Sequence, residues 1–185
     1  MKIFVFEVKQ TTEIVRFYQG FLTPSCRHLI SDIWELWPTL KFEEEHDFIQ
    51  WIFPLDEPSS YNSKAPILTK EDIQEFRKDH CLQHNVMISV HVFMRFLYIT
   101  SEFWCTDRDH NHLRITRMLK SLVLLGLEKE AGNVFDELIQ IVKTYGMEDK
   151  MSVPISFWRN ALRIEGPEPE MKEQTKWYKK RNTNY

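Results

Sequence analysis

The sequence is poor in the two residues from which many recognisable active-site and metal-site motifs are built. It holds five glycines in 185 residues, all isolated, which excludes the glycine-rich loops of P-loop and dinucleotide-binding proteins. The three cysteines, Cys26, Cys81 and Cys105, are odd in number and widely spaced, which fits neither a disulfide framework nor paired zinc ligands. We therefore expect reduced thiols and an intracellular protein.

Long apolar runs and an excess of charge of one sign are also missing. The apolar stretch around residues 86–99 is broken by His91 and Arg95 and falls short of the ~20 apolar residues that a spanning helix needs. The apolar segment at residues 3–8 is too short for a signal peptide. With 24 basic and 27 acidic side chains, no broad field attracts nucleic acid or anionic lipid. We expect no nucleic-acid partner, no transmembrane segment and membrane association that is at most peripheral.

The sequence does contain many apolar residues at helical spacing. At 43% hydrophobic residues the chain can form a core, and Val86, Val90, Phe93 and Leu97 recur every three or four residues. We predict an all-α fold, a compact bundle of about six to eight helices with a short extended N-terminal segment. The domain is expected to span residues 1–165, and the proline-containing, charged residues 166–185 are expected to form a flexible tail.

Capping residues predict where several helices begin. Ser31 is expected to cap a short helix, and the next helix is predicted over residues 42–51, with its acidic residues in the first turn. Thr69 followed by Asp72 predicts a capping box. A break near Asp79 is predicted before the long central helix.

A second clear helical pattern follows Asn111, which is expected to act as the N-cap. The apolar residues of 115–125 form its buried stripe, and Gly126 is expected to end it. Two further helices are predicted over residues 134–145 and 152–164. Three basic residues fall outside the buried stripe and are predicted to face solvent: Arg114, Arg117 and Lys120.

Three groups of titratable residues are candidates for chemistry. His110 and His112, beside arginines one helical turn apart, suit an anion or carboxylate better than a metal ion. The histidines at 80, 84 and 91 have a spacing that zinc tolerates, although histidines at helix edges are more often structural. The acidic run at residues 43–47 is best explained as a solvated helical turn. We predict no enzyme activity, no catalytic residue, no metal and no cofactor.

Five short words of sequence stand out between residues 16 and 164. They are FYQG at 17–20, EEHDFIQWIFPL at 44–55, LT at 68–69 leading to FRKD at 76–79, HNHLRITRMLKSL at 110–122, and GLE at 126–128. Their order and spacing resemble the conserved domain of the opioid growth factor receptor family. The two longest words are too long for chance to explain the resemblance.

The resemblance implies a helical domain that binds an enkephalin-type peptide, with Met-enkephalin as the ligand, and that takes part in growth regulation at the nucleus or its membrane. A peptide carboxylate suits a guanidinium group, and aromatic rings suit an apolar cleft, so we expect the site where the words meet. Two alternatives stay open: a protein–protein interaction module without an opioid ligand, and a metal-binding or hydrolytic protein that uses the histidines. The expected ligand-binding residues are His112, Arg114, Arg117, Arg77 and Trp51.

Overall fold

The computed structural model describes residues 11–23 and 25–163, and this part of the chain is all-α, as the sequence predicts. The described helices are α1 (Glu13–Tyr18), α2 (Ile30–Glu35), α3 (Thr39–Glu44), α4 (Ile49–Ile52), α5 (Lys70–Lys78), α6 (His80–Ile99), α7 (Ser101–Trp104), α8 (Asn111–Leu124), α9 (Glu128–Thr144) and α10 (Ser152–Ala161). These ten exceed the predicted six to eight because α3 and α4 replace one predicted helix, and because α1 and α7, of six and four residues, are too short to show a helical period. The predicted extended segment and tail lie outside the described residues.

Two long helices organise the core. The central helix α6 packs against α1, α2, α3, α5 and α7, whereas α8 packs against α9 and α10. A chain of aromatic rings joins α3 and the end of α4 to α6. Phe42 stacks on Phe96 at 5.4 Å between centroids, Phe96 stacks on Phe93 at 5.5 Å, and Phe93 meets Phe53 edge-on at 5.6 Å. The short helices are therefore held mainly by burial against α6 and α8.

The predicted capping box of α5 and the predicted break before α6 are confirmed. The Thr69 hydroxyl accepts from the Asp72 N–H, and the Asp72 carboxylate accepts from the Thr69 N–H at 2.8 Å, which completes a capping box. The same carboxylate accepts from the Thr12 hydroxyl at 2.7 Å, so the cap also ties α1 to α5. Asp79 separates the helices and caps α6 by accepting from the Cys81 N–H.

The predicted helix over residues 42–51 is wrong, because two short helices replace it. α3 ends at Glu44, Glu45 is extended with φ −88° and ψ 133°, and α4 begins at Ile49. The acidic residues therefore lie at the C-terminal end of α3 and not in a first turn. No glycine or proline marks this break in the sequence. Arg114 on α8 donates to two carbonyls at this break.

Three smaller predictions of helix ends are also wrong. Ser31 lies inside α2, which begins at Ile30 without a side-chain cap. Asn111 is the first residue of α8 and not its N-cap. Its own N–H donates to the Asp109 carboxylate at 2.7 Å, so Asp109 provides an acceptor at the start of this helix. α10 ends at Ala161 instead of residue 164.

Gly126 ends α8 as predicted, and its backbone has a conformation that residues with a side chain rarely adopt. Its φ is +85°, and a Cβ built on it would lie 2.9 Å from the Cγ of Arg77. Backbone strain and steric contact both act against any larger residue here.

We predict that Gly126→Ala lowers the free energy of unfolding by about 1–2 kcal/mol, because alanine is strained at positive φ. The matched control is Gly132→Ala within α9, where no atom lies within 4 Å of the added Cβ. That change should stabilise the protein by up to about 1 kcal/mol through helix propensity. Urea denaturation of both variants measures the difference, and equal effects would contradict the argument.

Candidate functional site

Arg114 on α8 binds the carbonyl end of α3. Its side chain is buried, with Nη1 donating to the Phe42 carbonyl at 2.7 Å and Nη2 donating to the Glu45 carbonyl at 3.0 Å. These carbonyls lie where a helix leaves its acceptors unpaired. The Phe48 ring lies 5.5 Å from the guanidinium carbon. The prediction that Arg114 faces solvent is wrong, because the guanidinium replaces solvent at this helix end.

Arg117 does the same for α4. It is 5% exposed, and its Nε donates to the carbonyl of Phe53, the residue that follows α4, at 2.8 Å. One turn further along α8, the Ser121 hydroxyl donates to the Pro54 carbonyl at 2.9 Å. The predicted exposure of Arg117 is therefore also wrong. The polar face of α8 binds the backbone of the segment that contains the other long sequence word.

Arg77 caps α8 itself. Its Nε donates to the Leu124 carbonyl at 3.0 Å and its Nη2 donates to the Val123 carbonyl at 3.3 Å, in the last turn of that helix. Its contact with Glu128 at 3.8 Å is half-exposed. All three arginines expected to bind a ligand thus occupy the C-terminal end of a helix, where a cation also offsets the helix dipole.

His112 and Trp51 belong to the core. The His112 ring is fully buried, and its Nε2 donates to the Trp104 carbonyl at 2.8 Å. Burial lowers the pKa of His112. Trp51 is 3% exposed and packs against the Phe17 ring at 5.3 Å between centroids. Ligand contact by either residue stays a prediction, and neither is close enough to Arg117 to share its cavity.

A cavity of about 160 Å³, the α8 cleft, lies where the two longest sequence words meet. Buried Arg114 and Arg117 form its inner end, and the exposed rings of His46 and His110 form its outer end. The loop of residues 57–61 supplies another wall. The structure therefore brings together two of the five predicted site residues. The apolar lining comes from Ile49, Pro58, Tyr61 and Leu113.

The inner end of the cleft carries the positive charges of Arg114 and Arg117. In residues 11–23 and 25–163, no carboxylate oxygen lies within 4 Å of the Arg114 or Arg117 guanidinium. Burial lowers the pKa of both groups to about 10, so both stay charged at neutral pH. The acidic residues that act on them at longer range are already bound. Glu57 lies 2.8 Å from Lys120, and Glu43 lies 3.0 Å from His110.

Arg117 differs from Arg114 in how completely its donors are used. The two Nη atoms of Arg114 reach four acceptors, which include the Asn111 side chain at 3.2 Å and the His46 ring at 3.1 Å. The Nη2 of Arg117 is buried and has no hydrogen-bond partner within the described residues. A buried unpaired N–H costs roughly 1–3 kcal/mol. An acceptor supplied by a ligand would remove that cost.

The two histidines at the outer end of the cleft are held differently. His46 accepts from Arg114 through Nδ1, because a guanidinium has only donors, and its proton is therefore on Nε2. His110 contacts Glu43, and its ring meets that of His46 edge-on at 6.1 Å. Burial, and then the charge of Arg114, lower the pKa of His110. Both effects favour the neutral form of the His110 ring.

Sequence reasoning did not name most of the residues that shape the cleft. Ile49 and Leu113 lie inside the two long words, so the words carried a signal for them. Glu57 and Tyr61 lie in a turn-rich loop, whose composition gives no sign of what it covers.

The histidines proposed as an alternative zinc site lie along α6. In the described ranges no three side chains of histidine, cysteine, aspartate or glutamate are placed to share a metal ion. The same ranges contain no helix with the length and apolar composition needed to cross a bilayer.

These features define an all-α protein whose short helices are capped by buried arginines and whose cleft combines apolar walls with a cationic inner end. A comparison with family models then gives the particular family. The model described as the opioid growth factor receptor (OGFr) conserved region matches residues 8–182, and the chain belongs to this family. The resemblance seen in the sequence is confirmed. The match continues into residues 166–182, and the predicted domain boundary at 165 stays a prediction.

Relatives that carry the name of this family align with about half to two thirds of the chain. The human opioid growth factor receptor is 33% identical over 139 residues, which cover 63% of this chain and 20% of that protein. The opioid growth factor receptor-like protein 1 of Mus musculus is 34% identical over 104 residues, 48% of this chain and 22% of that protein. The chain therefore spans about a fifth of the length of these relatives. No solved structure matches.

We predict that Arg114→Met lowers the free energy of unfolding by about 2–4 kcal/mol, because it leaves the buried carbonyls at the end of α3 without donors. The control is Arg95→Met on the exposed face of α6, which should change stability by less than about 0.5 kcal/mol. Chemical denaturation followed by tryptophan fluorescence measures both. A loss no larger than that of the control would show that the carbonyls find other partners.

We also predict that stability falls on acidification because of His112. Its folded pKa lies below the unfolded value of 6.5, so above pH 6.5 both states are neutral and its full contribution is present. Below that pH the unfolded state takes up a proton that the folded state does not, and stability is lost. Unfolding measured between about pH 7.5 and about pH 5 should show a shallower dependence in His112→Gln. The exposed-site control His91→Gln should keep the wild-type slope, and an unchanged slope in His112→Gln would contradict this origin.

Proposed function

We propose that this chain is a receptor-type binding domain that holds an enkephalin-type peptide in the α8 cleft and acts by binding, without catalysis. The relatives named opioid growth factor receptor support the ligand class. The observation that carries the proposal is the composition of the cleft, with apolar walls and two buried arginines that pair directly with no carboxylate of the described residues. Such a site complements a ligand that is apolar along its body and anionic at one end.

Met-enkephalin fits this description. It carries tyrosine and phenylalanine rings and ends in methionine with a free carboxylate. A cavity of about 160 Å³ accommodates a group about the size of a benzene ring, and hence one side chain of the peptide. The rest of the peptide would lie along the exposed outer end, near His46 and His110.

By the same resemblance we extend the proposal to growth regulation and to a location at the nucleus or its membrane. The relatives' names contain the words growth factor receptor, which supports the first part. A fluorescent fusion expressed in cells tests the second part, and an even distribution through the cytoplasm would contradict it.

We predict that Leu113→Trp weakens the binding of Met-enkephalin at least about tenfold, because the larger ring fills the cleft. Leu113 is half-buried and lines the cavity, so the substitution removes no fully buried core residue. The matched control is Leu36→Trp at a position that is 71% exposed and does not line the cleft. Isothermal titration calorimetry measures the dissociation constants.

Circular dichroism of both tryptophan variants confirms that the helices are retained. Equal affinity in Leu113→Trp and Leu36→Trp would place the peptide elsewhere. No saturable binding by the wild-type chain would favour a helical interaction module without an opioid ligand.

A further inference from the structure

We propose that the α8 cleft recognises the C-terminal residue of its peptide, with the terminal carboxylate on Arg117 and the last side chain between the apolar walls. The inference rests on the proposed function, because it assigns a direction and a required end group to the peptide in that site. Its ligand class is a peptide with a free α-carboxylate and an apolar last residue.

The unfilled hydrogen-bonding capacity of Arg117 selects it over Arg114 as the carboxylate partner. Arg114 spends its Nη donors on two backbone carbonyls, an amide oxygen and an imidazole nitrogen. Arg117 spends Nε on the Phe53 carbonyl, and its buried Nη2 has no partner in the described chain. A carboxylate oxygen at Nη2 would form a charge-assisted hydrogen bond with this unpaired donor.

The apolar walls explain why the end of a peptide fits better than an internal acidic side chain. Ile49, Pro58, Tyr61 and Leu113 line the same small cavity as Arg117. A C-terminal residue carries its carboxylate and its side chain on one carbon, so both can enter together. An internal aspartate or glutamate brings no apolar group of its own, and its backbone must leave the cavity in two directions.

Glu57 is the residue that a ligand carboxylate would replace. Its negative charge acts on Arg117, while its oxygen binds Lys120 at 2.8 Å. Glu57 begins the loop segment 57–61 that lines the cleft, and the inner face of Arg117 is sealed from solvent. An entering carboxylate therefore takes the place of the Glu57 side chain, while Pro58 and Tyr61 keep their positions as walls of the cleft. The N–H groups of Tyr61 and Asn62 donate to the Ser59 hydroxyl, which helps the loop to keep its shape.

Three peptides test the inference by calorimetric titration of the wild-type chain. They are Met-enkephalin, its C-terminal amide, and Met-enkephalin extended by one glycine, which keeps a carboxylate but moves it by one residue. We expect the amide to bind roughly 10- to 100-fold more weakly, which is the loss of a hydrogen bond to a charged group. We expect the extended peptide to bind about as weakly as the amide. The same affinity for all three would overturn the inference and leave the proposed function in place.

Binding of the extended peptide as tightly as Met-enkephalin, with a weak amide, would also overturn it, because any nearby carboxylate would then suffice. If none of the three binds, the proposed function fails and the inference fails with it.

A gain of affinity provides a test that does not depend on a damaged fold. Glu57→Gln removes the competing negative charge and weakens the contact with Lys120, because an amide oxygen still accepts from the ammonium group but carries no charge. Met-enkephalin should bind this variant several-fold more tightly, whereas the affinity of the amide should not change. Glu44→Gln, at an exposed position outside the cleft, controls for the change in net charge. Equal gains for the acid and the amide would mean that the weaker contact with Lys120 alone is responsible, and would overturn the role of the carboxylate.

Discussion

The fold depends on hydrogen bonds from buried arginines to the carbonyl ends of short helices. α3 has six residues and α4 has four, far below the length at which a helix is stable alone in water. Their last carbonyls lie inside the protein, where an unpaired acceptor is costly. Arg114 and Arg117 supply donors to both, from one face of α8. This requirement explains why two charged residues lie in the core beside apolar residues of the same helix.

The arrangement leaves an electrostatic imbalance that matters for function. Guanidinium groups stay charged even when burial lowers their pKa to about 10, and backbone carbonyls offset that charge only with their dipoles. A small region of the interior is therefore positive, and it borders an apolar cleft that opens to solvent. Arg117 donates one structural hydrogen bond, to the Phe53 carbonyl, and its buried Nη2 has no partner among the residues that the structure describes. The same residue can therefore hold α4 in place and still attract an anion.

Local signals in the sequence were enough to predict the long helices but not the breaks between short ones. Thr69, Asp79 and Gly126 act through neighbours in sequence, so their effects on helix ends could be read directly. At the break after α3 the Glu45 carbonyl accepts from Arg114, which is 69 residues away, and no residue at the break indicates this partner. The helical periodicity also predicted that Arg114 and Arg117 face solvent. A charged residue is assumed to be solvated in such an analysis, and the sequence gives no sign that a buried carbonyl is its partner.

The candidate site also has a part that the sequence predicts and a part that it does not. The two long sequence words indicated where the site lies, since they form opposite sides of the cleft and bind each other through Arg114, Arg117 and Ser121. The position of the loop of residues 57–61 over the cleft could not be predicted, because its turn-rich sequence has no periodicity that indicates which part of the protein it contacts. The fold restricts changes in the two long sequence words, since Arg114 and Arg117 must each donate to the carbonyls at the end of a short helix. The loop is tied to α8 through Glu57 and can change without disturbing those bonds, so differences in ligand preference are expected to arise there.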